Sequence, residues 1–223
     1  MQFEIMGGNL PVALCHMDAG DAVYCQSGAM SWMDEGIEMQ TEGGGLGKIL
    51  GRAMTGEALF RNRYVAHKAG EIAFSASFPG EIREFQVSPG RSVIAQKKSF
   101  LACDTSVEMS VFFQKKLSGG FFGGEGFIMQ KFSGSGRVLI EIGGSAIEYQ
   151  LGPGERKIID TGYLVLMEDT CSMDIVQVKG VKNVLMGGEG LFNTVVTGPG
   201  KLVIQSMPVS KMAEVIRPLI TTS

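Results

Sequence analysis

The sequence predicts an all-β protein built from three tandem copies of one unit, followed by one short C-terminal helix. Three observations support this prediction: an internal repeat, strict alternation of apolar and polar residues, and an excess of glycine. The 32 glycines among 223 residues follow no collagen-like period, which is typical of many tight turns between short strands. With 44% hydrophobic and 19% charged residues, the chain can bury a large core and is not of the disordered class.

The internal repeat is the strongest of these observations. Positions 87–142 align with 151–206 without a gap, at a shift of 64 residues. The first copy aligns at a shift of 70 up to Thr41 and of 68 beyond it, so we expect two extra residues in its Gly43–Gly56 connection. Because a unit of roughly 65 residues has too little core to be comfortable alone, we expect the copies to stack on one another.

The repeat sets the expected organisation of the chain. We predict one compact body over residues 1–223, with the copies as its subdivisions. These are repeat 1 at 1–72, repeat 2 at 73–142, repeat 3 at 143–208, and a C-terminal helix and tail at 209–223. The same alignment places Ala69 of the first copy opposite Arg137 and Lys201 of the other two.

Alternating apolar and polar residues predict the strands. The alternation recurs at the same place in each copy, at 37–41, 107–111 and 171–175. A period of two residues indicates a strand with one buried face. Residues 82–87 and 147–151 alternate too, and each of these segments runs into a Pro-Gly turn.

The end of the chain is the one segment with a helical pattern. Ser210 is the predicted N-cap of a helix over 211–216, and Pro218 is the residue expected to stop it. We therefore predict one short terminal helix.

Two glycine-rich phrases carry a family resemblance. Gly123-Gly124-Glu125-Gly126 and Gly187-Gly188-Glu189-Gly190, with the residues that follow them, resemble the altered-inheritance-of-mitochondria family over essentially the whole chain. The resemblance implies a fold similar to the tryptophan RNA-binding attenuation protein, with three short double-stranded β-helix units per chain in pseudo-threefold symmetry. It also implies a homotrimer whose nine units close a pseudo-ninefold ring, and it supplies no catalytic residues to transfer.

Charge and targeting signals narrow the expected partners and location. A net charge of −3 gives no long-range attraction to phosphate backbones, and Lys97-Lys98 lies opposite Thr161-Gly162 in the alignment. An RNA-binding ring would repeat its cations, so nucleic acid is not an expected partner. The N-terminal residues lack a basic segment before an apolar run, and no apolar stretch approaches 18 residues, so we expect a cytoplasmic protein.

Catalytic, cofactor and metal signatures do not emerge from the sequence. Gly43–Lys48 superficially resembles a phosphate loop, but Glu42 and Ile49 occupy the places where such a loop needs glycine and a hydroxyl residue. Every cysteine aligns with apolar residues of the other copies, which predicts buried, reduced thiols rather than a metal or redox site. The cysteines are Cys15, Cys25, Cys103 and Cys171.

Two sets of carboxylates recur once in every copy. The first set is Glu57, Glu125 and Glu189, and the second is Asp34, Asp104 and Glu168. Because one reaction needs one asymmetric constellation, recurrence favours a structural role at repeat junctions, such as accepting backbone N–H groups. The alternative is a ring of carboxylates that binds cations or a basic partner.

Apolar residues in the glycine-rich connections are candidate interface residues. They are Leu46, Ile49, Leu50, Phe121 and Phe122. We expect them to seal repeat and subunit interfaces, and the alternative is contact with a membrane or a partner protein.

These observations favour a non-enzymatic assembly or interaction protein, a homotrimeric β ring that presents repeated surfaces to a protein or a membrane. The alternative is a small-ligand-binding module with sites between adjacent repeats. An RNA-binding ring is less favoured than either. No cofactor is expected.

Overall fold

The computed structural model describes residues 1–40, 61–115, 126–177, 192–216 and 219–220. Its described part contains nineteen strands, two single-turn 3₁₀ helices and one α-helix, which confirms the predicted all-β class with one short C-terminal helix. Helix α1 spans Val209–Ile216, and the Lys211 N–H donates to the carbonyl of Pro208. Ser210 therefore lies within the first turn, and its predicted role as N-cap is wrong.

The strands are short and end at turns, as the glycine content indicates. In chain order they are β1 Gln2–Met6, β2 Val12–Met17, β3 Ala22–Gln26, β4 Met30–Met33, β5 Ile37–Gln40, β6 Arg61–Ala66, β7 Gly70–Ser75, β8 Gly80–Val87, β9 Val93–Gln96, β10 Phe100–Asp104, β11 Val107–Lys115, β12 Phe127–Gly134, β13 Gly136–Gly143, β14 Ala146–Leu151, β15 Arg156–Asp160, β16 Leu164–Glu168, β17 Ser172–Gln177, β18 Phe192–Thr197 and β19 Gly200–Gln205.

After β1, the strands fall into three sets of six with the same antiparallel pairing: β2 to β7, β8 to β13 and β14 to β19. In each set the sixth strand lies between the first and the third. The fifth strand lies between the fourth and the second. This recurrence supports the predicted repeat, whereas the double-stranded β-helix architecture and its pseudo-threefold symmetry stay predictions.

A shared irregularity shows which residues correspond between sets. The pairing of the third with the sixth strand shifts register between Met30 and Trp32, between Phe100 and Ala102, and between Leu164 and Leu166. These positions differ by 70 and 64 residues, the shifts expected from the sequence.

One correspondence predicted from the sequence is wrong. The residue of the first set that matches Arg137 and Lys201 is Glu71, because Gly70, Gly136 and Gly200 each begin a sixth strand. The turn before β7 holds residues 67–69, whereas the turn before β13 holds residue 135 alone. The longer turn displaces Ala69, and a gapless alignment does not register it.

Neighbouring sets are joined edge to edge. Strand β3 of the first set pairs with β10 of the second, and β9 of the second set pairs with β16 of the third. Each junction therefore places the second strand of one set beside the third strand of the next. The result is a pair of six-stranded sheets, flanked by a four-stranded sheet and a three-stranded sheet.

Three apolar clusters form the core. All four cysteines are buried and free, as the alignment with apolar residues predicts. Burial raises the pKa of the Cys15 and Cys25 thiols to about 12, so they stay protonated. Among the described residues, no helix is long and apolar enough to cross a membrane.

Candidate assembly edges and recurring carboxylates

Two strands at opposite ends of the series of sheets have an open edge. Strand β4 ends the four-stranded sheet, and β15 ends the three-stranded sheet. Their counterparts at the internal junctions are paired on that side, since β10 and β16 contact β3 and β9. In residues 1–40, 61–115, 126–177 and 192–216, β4 has no preceding set to contact, and β15 has no following set.

The open edge of β4 exposes large apolar side chains. Trp32 is 51% exposed and Met33 is 38% exposed. The corresponding residues at the internal junctions are completely buried; they are Ala102, Cys103, Leu166 and Met167. The same strand position is thus core wherever a neighbouring set covers it.

The open edge of β15 shows the same contrast. Ile158 is 69% exposed, whereas its counterparts Tyr24 and Ile94 are 8% and 1% exposed. An apolar strand edge without protection is a template for pairing with another chain. The two edges are complementary, because one presents the second strand of a set and the other presents the third.

The recurring carboxylates share one hydrogen bond. Oδ2 of Asp34 accepts from the backbone N–H of Glu71 at 3.0 Å, and Oδ2 of Asp104 accepts from that of Arg137 at 2.7 Å. Oε2 of Glu168 accepts from the backbone N–H of Lys201 at 2.8 Å. Each carboxylate therefore ties the end of a third strand, or the residue after it, to the start of the sixth strand in the same set.

Asp104 is the most strongly held member of this group. Its two oxygens also accept from Nε and Nη2 of Arg137, at 3.0 and 2.8 Å. The Arg137 guanidinium in turn lies over the Phe3 ring, 4.7 Å from its centroid. Asp104 is thus fully occupied by contacts within the fold.

The remaining predicted site residues lie outside the described residues. They are Glu57, Glu125 and Glu189 of the carboxylate sets, and Leu46, Ile49, Leu50, Phe121 and Phe122 of the apolar set. Within the part of the chain that the structure describes, no three His, Cys, Asp or Glu side chains lie close enough together to hold a metal ion.

The sequence analysis missed a cavity of about 380 Å³ where the three sets meet α1. Its lining includes Gln26 of the first set, Glu141 of the second, Gly162 of the third and Ala213 of α1. The alignment carried one signal, because Glu141 stands where the other sets have Ser75 and Gln205. A lone carboxylate at the end of an otherwise apolar strand indicates a site with its own role.

Comparison with known proteins decides the family. The model of the mitochondrial biogenesis AIM24 family matches residues 3–207. The chain belongs to the AIM24 family. This confirms the family resemblance predicted from the glycine-rich phrases.

Relatives of this AIM24 chain occur in Streptococcus pyogenes. An uncharacterized protein of serotype M6 is 28% identical over 223 residues, which cover 96% of this chain and 88% of that protein. The fold of the chain is also similar to an X-ray crystal structure of a Streptococcus pyogenes protein, with a TM-score of 0.83 and 25% identity. That similarity covers 98% of this chain and 99% of the other.

Proposed function

We propose that this AIM24 protein is a non-enzymatic assembly scaffold whose copies join head to tail, through β4 and β15, into a closed homotrimeric ring. The ring would present nine related units to a protein or membrane partner in the cytoplasm. The observation that carries the proposal is the exposure of Trp32, Met33 and Ile158 at positions that are buried at both internal junctions.

The internal junctions supply the expected register. Asp104 lies opposite Val23 and Cys103 opposite Tyr24 across the β3–β10 pair. Transferred to the open edges, this register places Met33 opposite Ile158 of the next copy. It also places Asp34 opposite Lys157 of that copy, which adds an ion pair to the strand contact.

Closure follows from the type of contact. Because β4 and β15 are different surfaces, the contact is head to tail, and such contacts form either a closed ring or an open filament. The last junction of a ring joins ends already held in one assembly, which makes it favourable at low protein concentration. Three copies follow from the ninefold ring that the family resemblance implies.

The recurring carboxylates support a scaffold rather than an enzyme. Asp34, Asp104 and Glu168 each bond backbone within their own set, and the same bond occurs in all three. A shared structural bond gives each set the same local geometry, which a ring of related units requires. It leaves these residues in no asymmetric arrangement of the kind that catalysis uses.

Light scattering coupled to gel filtration tests the assembly. Wild-type protein should have about three times the chain mass of 23.9 kDa. Ile158→Asp should yield monomers, because it puts a charge where the next copy would bury an apolar side chain. Leu10→Asp is the matched control, since Leu10 is 65% exposed but lies away from both edges. A monomeric wild type, or a trimer that survives Ile158→Asp, would contradict the proposal.

A second candidate function is the small-ligand module with sites between repeats. The cavity of about 380 Å³ favours it, because residues of all three sets line that cavity. The described residues offer no comparable observation in favour of an RNA-binding ring.

A further inference from the structure

Gln205 and Glu141 occupy the same position in successive sets but make different contacts. Oε1 of Gln205 accepts from the backbone N–H of Gly143 at 2.9 Å, and its Nε2 donates to the carbonyl of Gly162 at 2.9 Å. The glutamine thereby connects the preceding link between sets to a 3₁₀ turn. Both ends of its amide are used.

Glu141 reproduces the accepting half of this arrangement. Its Oε2 accepts from the backbone N–H of Ser77 at 2.7 Å, and its Oε1 accepts from the Ser77 hydroxyl at 3.1 Å. Ser77 stands two residues after β7, as Gly143 stands two residues after the end of the β13 core at Glu141. The donating half differs, because an ionised carboxylate has no hydrogen to offer.

The cavity opens where the donating half is absent. Lys98, the counterpart of Gly162, lines it together with Glu141. Its other walls include the apolar side chains of Phe78, Ile142 and Val209. The space thus combines a partly buried carboxylate with apolar walls and is large enough for a small organic molecule.

Burial raises the pKa of the Glu141 carboxyl, against the opposing effect of the two Ser77 hydrogen bonds. A partly desolvated carboxylate gains most from a ligand that brings a positive charge and N–H donors. An anionic ligand would meet repulsion at the same place, and a neutral hydroxyl would supply a weaker hydrogen bond.

We propose that this cavity binds a small organic amine, whose ammonium group takes the place that Nε2 of Gln205 fills in the third set. The ammonium would donate to Glu141, and an apolar body would lie against Phe78, Ile142 and Val209. The proposal rests on the second candidate function and needs no contact between copies, because a single chain supplies every lining residue named.

Titration calorimetry with the full chain tests the proposal. The probe is phenethylamine, compared with 2-phenylethanol and 3-phenylpropionate, which keep the aromatic body and replace the amine. Phenethylamine should bind with one site per chain, at least about tenfold more tightly than either analogue, as expected for a charge-assisted hydrogen bond to a partly desolvated carboxylate.

Variants locate the site. Glu141→Gln should weaken phenethylamine binding at least about tenfold while the protein stays folded, because the amide resembles Gln205. Glu84→Gln is the matched control, an exposed carboxylate on β8 that does not line the cavity, and its binding should equal wild type. Thermal melts of both variants show whether any loss reflects unfolding.

Two results would overturn the proposal: absence of saturable phenethylamine binding, or equally tight binding by 2-phenylethanol or by Glu141→Gln protein. Failure of the ring is a separate result, because it is measured by mass. A monomer that binds phenethylamine would refute the ring and support the cavity. A trimer that binds none of the probes would do the reverse.

Discussion

Ile158 lies on β15 at the position that Ile94 occupies on β9, yet Ile158 is 69% exposed and Ile94 is 1% exposed. The residues are identical, so the difference arises from the neighbour alone. Ile94 lies opposite Met167 of β16, whereas no described strand follows β15. A second copy that offers β4 would give Ile158 the environment that Ile94 already has.

A disulfide can test the register of the proposed junction. Cys103 pairs with Tyr24, and Met167 with Ile94, so Met33 should lie opposite Ile158 of the next copy. Directly opposed strand residues bring Cβ atoms to about 4.5–5.5 Å, close to disulfide geometry. Mildly oxidised Met33→Cys/Ile158→Cys protein should run as covalent oligomers on non-reducing denaturing gels.

The control for the disulfide is a pair that is out of register. Met33→Cys/Arg156→Cys moves the second thiol two residues along β15, which places it diagonally from the first. It should cross-link much less than the in-register pair. Equal yields from both pairs would reject the transferred register, and the buried native cysteines should not contribute.

Asp104 and Asp34 should differ in their contribution to stability. Asp104 accepts a backbone N–H and pairs with the Arg137 guanidinium, and its side chain is largely buried. Asp34 is exposed and accepts one backbone N–H, that of Glu71. Asp104→Ala should lower the free energy of unfolding by about 2–3 kcal/mol, and Asp34→Ala by about 1 kcal/mol.

Urea denaturation at one fixed protein concentration measures this difference, since assembly would make stability depend on concentration. If Asp34→Ala costs as much as Asp104→Ala, the carboxylates act through something other than the contacts seen within a single chain.

The strands could be predicted from the sequence because their signals are local. Alternation at 37–41, 107–111 and 171–175 reports a strand with one buried face without knowledge of its partner. Strands β5, β11 and β17 include most of these residues. The repeat multiplied the signal by showing it three times.

Other features depend on residues that are distant in the sequence. Glu71 replaces Ala69 as the partner of Asp34 because a turn is two residues longer, a change that a gapless alignment does not register. The environment of Glu141 is set by Ser77, 64 positions earlier, and by the approach of α1. No local pattern records either relationship.

Gly80 should be intolerant of a side chain. A Cβ at this position would lie 1.9 Å from the carbonyl oxygen of Ile142 and 2.9 Å from the nitrogen of Gly144. Both atoms are backbone, so the start of β8 would have to move away from β13. Gly80→Ala should lower the free energy of unfolding by about 1–3 kcal/mol.

Gly8→Ala is the control for Gly80, because a Cβ at Gly8 would meet no atom within 4 Å. Thermal denaturation should separate the variants by several degrees, at about 2–4 °C per kcal/mol for a chain of this size. Similar melting temperatures for the two variants would show that the β8–β13 contact is looser than the described packing.

Glu141 should make stability depend on pH in a direction opposite to that of most carboxylates. Burial raises its folded-state pKa above the usual value of 4.5, so its protonated form is favoured by folding. Its stabilising contribution is fully present below about pH 4.5 and is lost as pH rises through the folded-state pKa. Glu141→Gln keeps a neutral side chain at every pH and can donate toward Lys98, as Gln205 donates to Gly162. The melting temperature of the variant minus that of wild type should therefore increase from pH 4 to pH 8. The exposed Glu84→Gln control should show no such trend, and a difference for Glu141→Gln that stays constant with pH would mean that this carboxyl is not desolvated by the fold.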